Sequence, residues 1–309
     1  MNSGLNGEAK GQGDGRADRL FSKDALARLA ALNRADLRGK LTTADKLVSP
    51  GAGLTRPVPA IATQLEILCP GTVLEGPLGH CYCLERPLAQ VAPELSALDA
   101  DYRRTFDGSA ARVTADALHE TVRPLLECPA ERIAYFDIET CGLAGMAVFL
   151  MGFLVWDGHR LVVRQFLARD YSEEPAALEA TWKLLDGVAA LVTFNGAAFD
   201  VPFIQDRAAA GGLAARRLAA RHVDLLHESR RRWKGVLPNC KLQTLEHFIC
   251  GRLRRGDIPG DLIPGVYHEF VRTRDARQLE MVIRHNALDL ITLAQLAVCV
   301  LQNRDSSGL

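Results

Sequence analysis

The sequence has no net charge, because its 309 residues include 37 Lys and Arg and 37 Asp and Glu. Proteins that bind nucleic acid mainly by non-specific electrostatic attraction carry an excess of basic residues. The even balance therefore counts against that class of high-affinity binder. Hydrophobic residues make up 48% of the chain, which is typical of a globular, soluble protein with one sizeable domain and additions.

The eight cysteines contain no Cys-x-x-Cys spacing, and we recognise no secretory leader before them. Free thiols are typical of a reducing compartment, so we expect a cytoplasmic protein. The run His80-Cys81-Tyr82-Cys83 contains possible zinc ligands. On a strand, however, Cys81 and Cys83 would share a face and His80 would point away. A structural zinc site needs four ligands, so we interpret this run as part of a small β-hairpin.

Long apolar runs are also missing. No stretch of the sequence approaches the about 20 consecutive apolar residues that a membrane-spanning helix needs. We therefore expect no membrane partner for this chain, and we separately expect no small-molecule cofactor.

The most informative residues are two carboxylates at the end of the run Ile133-Ala-Tyr-Phe-Asp-Ile-Glu-Thr140. The run is apolar and rich in β-formers, which predicts a buried strand. Side chains two apart on a strand point to the same face, so Asp137 and Glu139 repel each other unless a cation lies between them. The pair indicates either a site for hard cations such as Mg²⁺ or Mn²⁺ or two acids at a solvated strand end.

Three further polar residues favour the cation site. Asp200 follows a short apolar run and the turn Asn195-Gly196, which places it in the first turn of a helix. His285 and Asp289 are four apart within the helical stretch 276–301, so they share a helix face. Taken singly, Asp200 could be an acid that favours the helix dipole, and His285 could be a packed core histidine. An acid such as Asp289 inside an apolar helix is uncommon.

The order of predicted elements indicates the fold class. Strands are predicted over 133–140, 148–156 and 161–166, with a hairpin turn at Asp157-Gly158. A helix capped by Ser172 follows and then alternating strands and helices. Three antiparallel strands followed by alternating helix and strand is the chain order of the ribonuclease H-like fold. We therefore predict an α/β protein with a mixed five-stranded sheet flanked by helices and a small N-terminal extension.

Together these residues resemble the YprB-like ribonuclease H-like domain of the DEDD superfamily of 3′–5′ exonucleases. The similarity spans about residues 126–301. Beyond the acids, it includes the segments 162–167, 191–196, 223–227, 256–260 and 285–289. Asp-x-Glu alone is a weak signal, whereas this set in this order is specific.

The resemblance implies a metal-dependent 3′–5′ exonuclease. Its metal ligands for two Mg²⁺ or Mn²⁺ ions would be Asp137, Glu139, Asp200 and Asp289, and His285 would occupy the position of the general base. Thr140, Leu143 and Asn195 match positions that line the terminal nucleotide in similar exonucleases. The implied partner is DNA or RNA with a single-stranded 3′ end.

One departure from the family pattern concerns His285. Enzymes of this superfamily place either a tyrosine four residues before the last Asp or a histidine five before it. This chain has a histidine at the tyrosine spacing, which leaves a non-catalytic nucleic-acid-binding module as an alternative. A structure-selective endonuclease of the same fold is a further alternative.

Outside the motifs, the sequence predicts three regions. Residues 1–50 are interpreted as a flexible tail with a short amphipathic helix over 23–41. Residues 51–125 form a small accessory β and linker region, and residues 126–305 form the ribonuclease H-like domain. Twelve Lys and Arg residues lie between Arg207 and Arg255. They are either solvated helix faces or a rim that follows phosphates, and Trp233 among them either packs or stacks a base.

Overall fold

The structure is a computed structural model that describes residues 64–107, 118–143, 145–213 and 217–303. The tail and the amphipathic helix predicted over 23–41 lie outside these residues. The strands are β1 Thr72–Gly76, β2 Gly79–Pro87, β3 Ile133–Thr140, β4 Val148–Trp156, β5 Leu161–Leu167, β6 Ala190–Thr193 and β7 Arg221–Asp224. The helices are α1 Leu65–Leu68, α2 Leu88–Val91, α3 Ala97–Phe106, α4 Glu174–Leu185, α5 Asp200–Ala210, α6 Leu225–Trp233, α7 Leu242–Phe248, α8 Ile263–Thr273 and α9 Arg277–Leu301.

The strands form one mixed sheet in the order β1-β2-β5-β4-β3-β6-β7. Strands β1 to β5 pair antiparallel with one another, whereas β6 pairs parallel with both β3 and β7. The ribonuclease H-like sheet flanked by helices is thus confirmed. Because β3 and β6 are parallel, residues at their carboxyl ends lie at the same edge of the sheet.

The sheet has seven strands where the sequence predicted five. The additional pair is the hairpin β1–β2, in which β2 pairs antiparallel with β5 from Tyr82↔Leu167 to Pro87↔Val162. Cys81 and Cys83 are buried in the core, and His80 Nε2 lies 3.1 Å from a Glu173 carboxylate oxygen. The predicted hairpin therefore extends the sheet, since its apolar face packs into the same core.

Each face of the sheet is covered by helices. Phe136 and Ile138 of β3 point into the core that includes α4 and α5, whereas Tyr135 points into the core that includes α3 and the second half of α9. By alternation, Asp137 and Glu139 lie on the Tyr135 face. The acids therefore face α9.

The 25-residue helix α9 is long and apolar enough to cross a membrane by length and composition. However, 78% of the residues in its apolar window are buried inside the fold. It contacts β3 and β4 of the sheet and helices α3 and α8. The apolar composition of α9 is thus explained by its position as a core helix.

Candidate active site

Four carboxylates meet where β3 ends. Asp137 and Glu139 are on β3, Asp289 is on α9, and Asp200 is the first residue of α5. The Ile138 backbone N–H donates to Asp200 Oδ1 at 3.2 Å, which ties the start of α5 to the strand that carries the other acids. Asp200 is buried, whereas the other three are partly open to solvent.

The conformation between β6 and α5 places Asp200. The Asp224 carboxylate accepts from the backbone N–H groups of Asn195 at 2.8 Å and Ala197 at 3.1 Å. Asn195 adopts a left-handed φ of 65°, which asparagine tolerates better than most residues. A Cβ on Gly196 would lie 2.5 Å from Thr193 Cβ. The sequence Asn195-Gly196 therefore allows the sharp turn that brings Asp200 to the end of β3.

Burial and mutual repulsion raise the pKa values of these acids. Burial, followed by the charges of Asp289, Glu139 and Asp200, holds the pKa of Asp137 well above its usual range. Burial raises the pKa of Glu139 to about 8, although the nearby His285 opposes the shift. Burial likewise raises the pKa of Asp200 to about 7. A bound cation would remove the cause of the repulsive part of these shifts.

Asp289 has a cationic partner within the protein. The guanidinium of Arg254 pairs with Asp289 Oδ1, and it also lies 2.6 Å from Glu246 Oε2 and 3.3 Å from Asp257 Oδ2. The Arg254 side chain is only 6% exposed. Burial raises the pKa of Asp289, while Arg254 and His285 lower it, and the net direction is upward. Arg254 thus partly neutralises one side of the acidic cluster.

His285 lies between two carboxylates. Its Nδ1 is 2.9 Å from Asp257 Oδ1, and its Nε2 is 3.4 Å from Asp289 Oδ2. Burial lowers the pKa of His285, but the hydrogen bond to Asp257 and the charges of Asp289 and Glu139 outweigh it, so the pKa is raised. The tyrosine-type spacing therefore does not keep the imidazole away from the acids.

The three residues matched to nucleotide-lining positions lie at the same edge of the sheet. Thr140 ends β3, and its hydroxyl donates to the Gly142 carbonyl at 2.7 Å. Leu143 in the next loop is 82% exposed. Asn195 follows β6, and the structure gives its backbone, rather than its side chain, a hydrogen-bonding role.

The donor set suits a hard divalent cation, because carboxylate oxygens are the ligands that Mg²⁺ and Mn²⁺ prefer. Burial is the main cause that raises the pKa values of Asp137, Glu139 and Asp200, and the charges of neighbouring acids add to it; a cation at these oxygens would favour the ionised forms. Among the described residues, no group of three or more His, Cys, Asp or Glu side chains is already closed around one point. The chemistry of the donor set fits a metal centre, although its side chains do not converge on one point.

Comparison with known proteins identifies the family. The model of the RNase H superfamily matches residues 134–301, which include all four acids and His285. The chain belongs to the RNase H superfamily.

Within this superfamily, the chain is 34% identical over 171 residues to the uncharacterized protein YprB of Bacillus subtilis strain 168. The match covers 53% of this chain and 40% of YprB, so it concerns one part of that protein. Among solved structures, the family B DNA polymerase of the archaeon Pyrobaculum calidifontis has a TM-score of 0.45 and 19% identity. That match covers 55% of this chain and 24% of the polymerase.

Sequence reasoning missed several residues of this RNase H-like site. Arg254 and Asp257 come from the irregular segment between α7 and α8, although 256–260 was part of the resemblance. Asn286 donates to Asp137 Oδ2 at 2.8 Å and is completely buried. A buried asparagine beside His285 in an apolar helix was the signal that could have identified it.

The raised pKa values predict a pH dependence of stability. Without divalent cations, we expect the free energy of unfolding to fall between pH 5 and 8.5. Glu139 and Asp200 have folded pKa values of about 8 and about 7, above their ordinary values of about 4. Their contribution to stability is therefore fully present below the unfolded pKa and is lost as pH rises through the folded pKa. Urea unfolding in EDTA across this range measures the decline.

The variant Glu139→Gln removes one of these titrations. Its decline should be shallower than that of the wild type, whereas Glu75→Gln at an exposed site on β1 should leave the decline unchanged. Equal slopes for Glu139→Gln and the wild type would contradict the burial-driven shift.

Proposed function

We propose that this chain is a metal-dependent 3′–5′ exonuclease that hydrolyses phosphodiester bonds at the ends of DNA or RNA. The observation that supports it best is the meeting of four carboxylates with His285 in a member of the RNase H superfamily. Carboxylates repelling one another in a partly buried cleft destabilise the protein. A bound cation would offset this repulsion, so the cluster of carboxylates suits a function that uses cations.

The cation ligands in this proposal are Asp137, Glu139, Asp200 and Asp289. Two divalent cations, Mg²⁺ or Mn²⁺, held by these residues would supply a water of lowered pKa and would neutralise charge on the oxygens of the scissile phosphate. Asp137, Glu139 and Asp289 are partly open to solvent, so a phosphodiester can approach them from outside. Asp200 is the fourth ligand of this proposal. Its carboxylate accepts from the Ile138 backbone N–H and is buried.

His285 is the general base in this proposal. If Asp257 accepts the Nδ1 proton, the neutral imidazole carries its lone pair on Nε2, which faces Asp289. Nε2 is then the atom that takes the proton of the attacking water. Asp257 orients the ring and stabilises its protonated form.

The loops at the edge of the sheet would hold the terminal nucleotide. Leu143 is 82% exposed and Phe199, directly before Asp200, is 38% exposed. Exposed apolar side chains next to a charged cleft give an unstacked base a surface to contact. Thr140 and Asn195 complete this edge, which suits a single-stranded 3′ end.

A 5′-labelled oligonucleotide, incubated with the purified protein and Mn²⁺, tests the proposal on DNA and RNA side by side. An exonuclease gives a ladder that shortens one nucleotide at a time. Discrete internal fragments would indicate a structure-selective endonuclease. A mobility shift without cleavage would indicate a non-catalytic binding module and overturn the proposal.

His285→Ala should lower the cleavage rate by about 10²–10⁴-fold, the usual contribution of a positioned general base. Mn²⁺ binding should survive, because the four carboxylates remain. Single-turnover cleavage by the variant measures the loss of rate, and Mn²⁺ titration of the same variant measures metal binding. A near-wild-type rate for His285→Ala and for His285→Gln would remove His285 from the catalytic list.

The structure narrows the predicted phosphate-binding rim. Arg231 and Arg232 both pair with the buried Glu228, and Trp233 is buried in the core, so packing is its role. Arg230 and Lys234 are exposed and form no ion pair with the residues that the structure describes. Arg216 lies outside the described residues. Within residues 230–234, the candidates for the rim are therefore Arg230 at the end of α6 and Lys234 directly after it.

Charge reversal of Arg230 and Lys234 together should weaken oligonucleotide binding and reduce the slope of log affinity against log salt by about 1 per lost phosphate contact. Fluorescence anisotropy at several salt concentrations measures the slope. Arg272→Glu, which reverses an exposed charge on α8, is the matched control. A slope equal to that of the control would show that these side chains are only a solvated helix face.

A further inference from the structure

Buried and partly buried polar side chains form a hydrogen-bonded chain along one face of the sheet, and this chain ends on Asp137. The Arg86 guanidinium donates to Gln165 Oε1 at 2.7 Å. Gln165 Nε2 donates to Asn286 Oδ1 at 2.8 Å, and Asn286 Nδ2 donates to Asp137 Oδ2 at 2.8 Å. The chain thus links strand β2 to an acid of the site through β5 and α9.

The sheet register and one glycine make room for this chain. Gln165, Gly152 and Asp137 are direct neighbours across β5, β4 and β3. A Cβ on Gly152 would lie 2.0 Å from Asn286 Oδ1 and 2.9 Å from Leu290 Cδ1. Because the middle residue of the row has no side chain, the Asn286 amide can lie on the sheet between Gln165 and Asp137.

The donors and acceptors leave one orientation for both amides. An arginine has only donors, so Gln165 must turn its oxygen towards Arg86. Its Nε2 then faces Asn286 Oδ1 and the Ile283 carbonyl, which lies 2.9 Å away and can only accept. Asn286 must consequently direct its NH₂ group at Asp137, where it meets Oδ2 and, at 3.2 Å, the backbone carbonyl.

We propose that Asn286 is a positioning residue for the metal ligand Asp137, and that Arg86 and Gln165 set the direction of its amide. This inference rests on the proposed function, in which Asp137 binds a divalent cation. Asn286 occupies Oδ2 and fixes the carboxylate plane, which leaves Oδ1 as the oxygen available to a cation. Partners that orient a metal ligand in this way typically contribute 10–100-fold to metal affinity or activity.

The inference extends the site beyond the matched family region. Arg86 is on the hairpin β1–β2, outside residues 134–301. Its side chain is partly buried, and its Nε has no hydrogen-bond partner among the described residues. A partly buried guanidinium whose Nε has no partner is costly as packing alone, whereas it has a use as the donor that starts the chain.

Gln165→Glu gives the sharpest test, because it keeps the size of the side chain and adds an ion pair with Arg86. The Nε2 donor to Asn286 Oδ1 and to the Ile283 carbonyl is lost, so the Asn286 amide faces a carboxylate on both sides and its NH₂ group is no longer directed at Asp137 alone. Mn²⁺ affinity of the full chain, measured by calorimetry without nucleic acid, should fall about 10–100-fold. Simple electrostatics predicts the opposite, since added negative charge attracts a cation.

Two further variants complete the experiment. Asn286→Leu, which removes the hydrogen bond directly, should weaken Mn²⁺ binding to a similar extent. Gln90→Glu adds the same charge at an exposed site on α2 and should bind Mn²⁺ like the wild type. Metal-free melting temperatures identify any variant that fails to fold.

Different outcomes would overturn the metal site and the positioning role of Asn286. If the wild type itself does not bind Mn²⁺, the proposed metal site, and with it the proposed function, is overturned. If the wild type binds but Gln165→Glu and Asn286→Leu bind equally well, the positioning role is overturned while the metal site stands.

Discussion

Asp137→Asn should reduce cleavage to background and remove most of the stabilisation by Mn²⁺. The substitution keeps the shape of the side chain and an oxygen that can accept from Asn286, but it removes a cation ligand. A ligand that binds only the folded state at 100 times its Kd stabilises it by about 2.7 kcal/mol, and the variant should lose most of this gain. The melting temperature with and without Mn²⁺ measures the stabilisation by the cation, and cleavage of the labelled oligonucleotide measures the activity.

Without metal, the same variant should melt at a higher temperature than the wild type. The pKa of Asp137 is held well above its usual range by burial and by three neighbouring acids, so its ionised form opposes folding at neutral pH. Asp206→Asn, on the exposed face of α5, should change neither melting temperature. An equal response to Mn²⁺ in the Asp137 variant and the wild type would remove Asp137 from the metal ligands.

Arg254→Met should destabilise the metal-free protein by about 3 kcal/mol at pH 7, the lower end of the cost of breaking a buried ion pair. Arg254 is the shared partner of Glu246, Asp257 and Asp289. Glu246 keeps Arg252 at 3.4 Å and the Thr292 hydroxyl, which moderates the loss. Urea unfolding of the variant and of the exposed-pair control Arg272→Met measures the difference.

The effect of Arg254→Met should shrink as pH falls. Burial raises the pKa of Asp257, but His285 and Arg254 outweigh it and hold the pKa below its usual range. A depressed carboxyl contributes stability above its unfolded pKa of about 4, and this contribution is lost as pH falls through the folded pKa. A loss at about pH 2, below both pKa values, as large as that at pH 7 would indicate that packing of the long side chain, rather than its charge, stabilises the segment.

The sequence predicted the parts of the site that depend on local periodicity. Alternation along β3 placed Asp137 and Glu139 on one face, and the four-residue spacing placed His285 beside Asp289. The structure has the corresponding strand at Ile133–Thr140 and a 3.4 Å approach of His285 to Asp289. Both patterns hold within a single element, where chain geometry leaves little freedom.

Features that depend on distant contacts were not predicted. Arg254 reaches Asp289 from an irregular segment 35 residues away in sequence, where no periodicity directs a side chain. The hairpin β1–β2 was expected, but alternation does not specify its partner strand β5. The helix cap also differed: Asp170, rather than Ser172, accepts the first N–H, because a short 3₁₀ turn at Tyr171–Glu173 precedes α4.

The burial of helix α9 limits how far the site residues that it carries can move. His285, Asn286 and Asp289 lie in the middle of the 25-residue helix, which contributes to both cores. Backbone amides in such an element exchange with solvent only when most of the molecule opens. His285, Asn286 and Asp289 are thus held on a core helix whose amides are expected to exchange slowly, whereas Leu143 and Asn195 lie on loops. Local opening of these loops would leave the residues of α9 in place, and deuterium exchange would separate the two regions by rate.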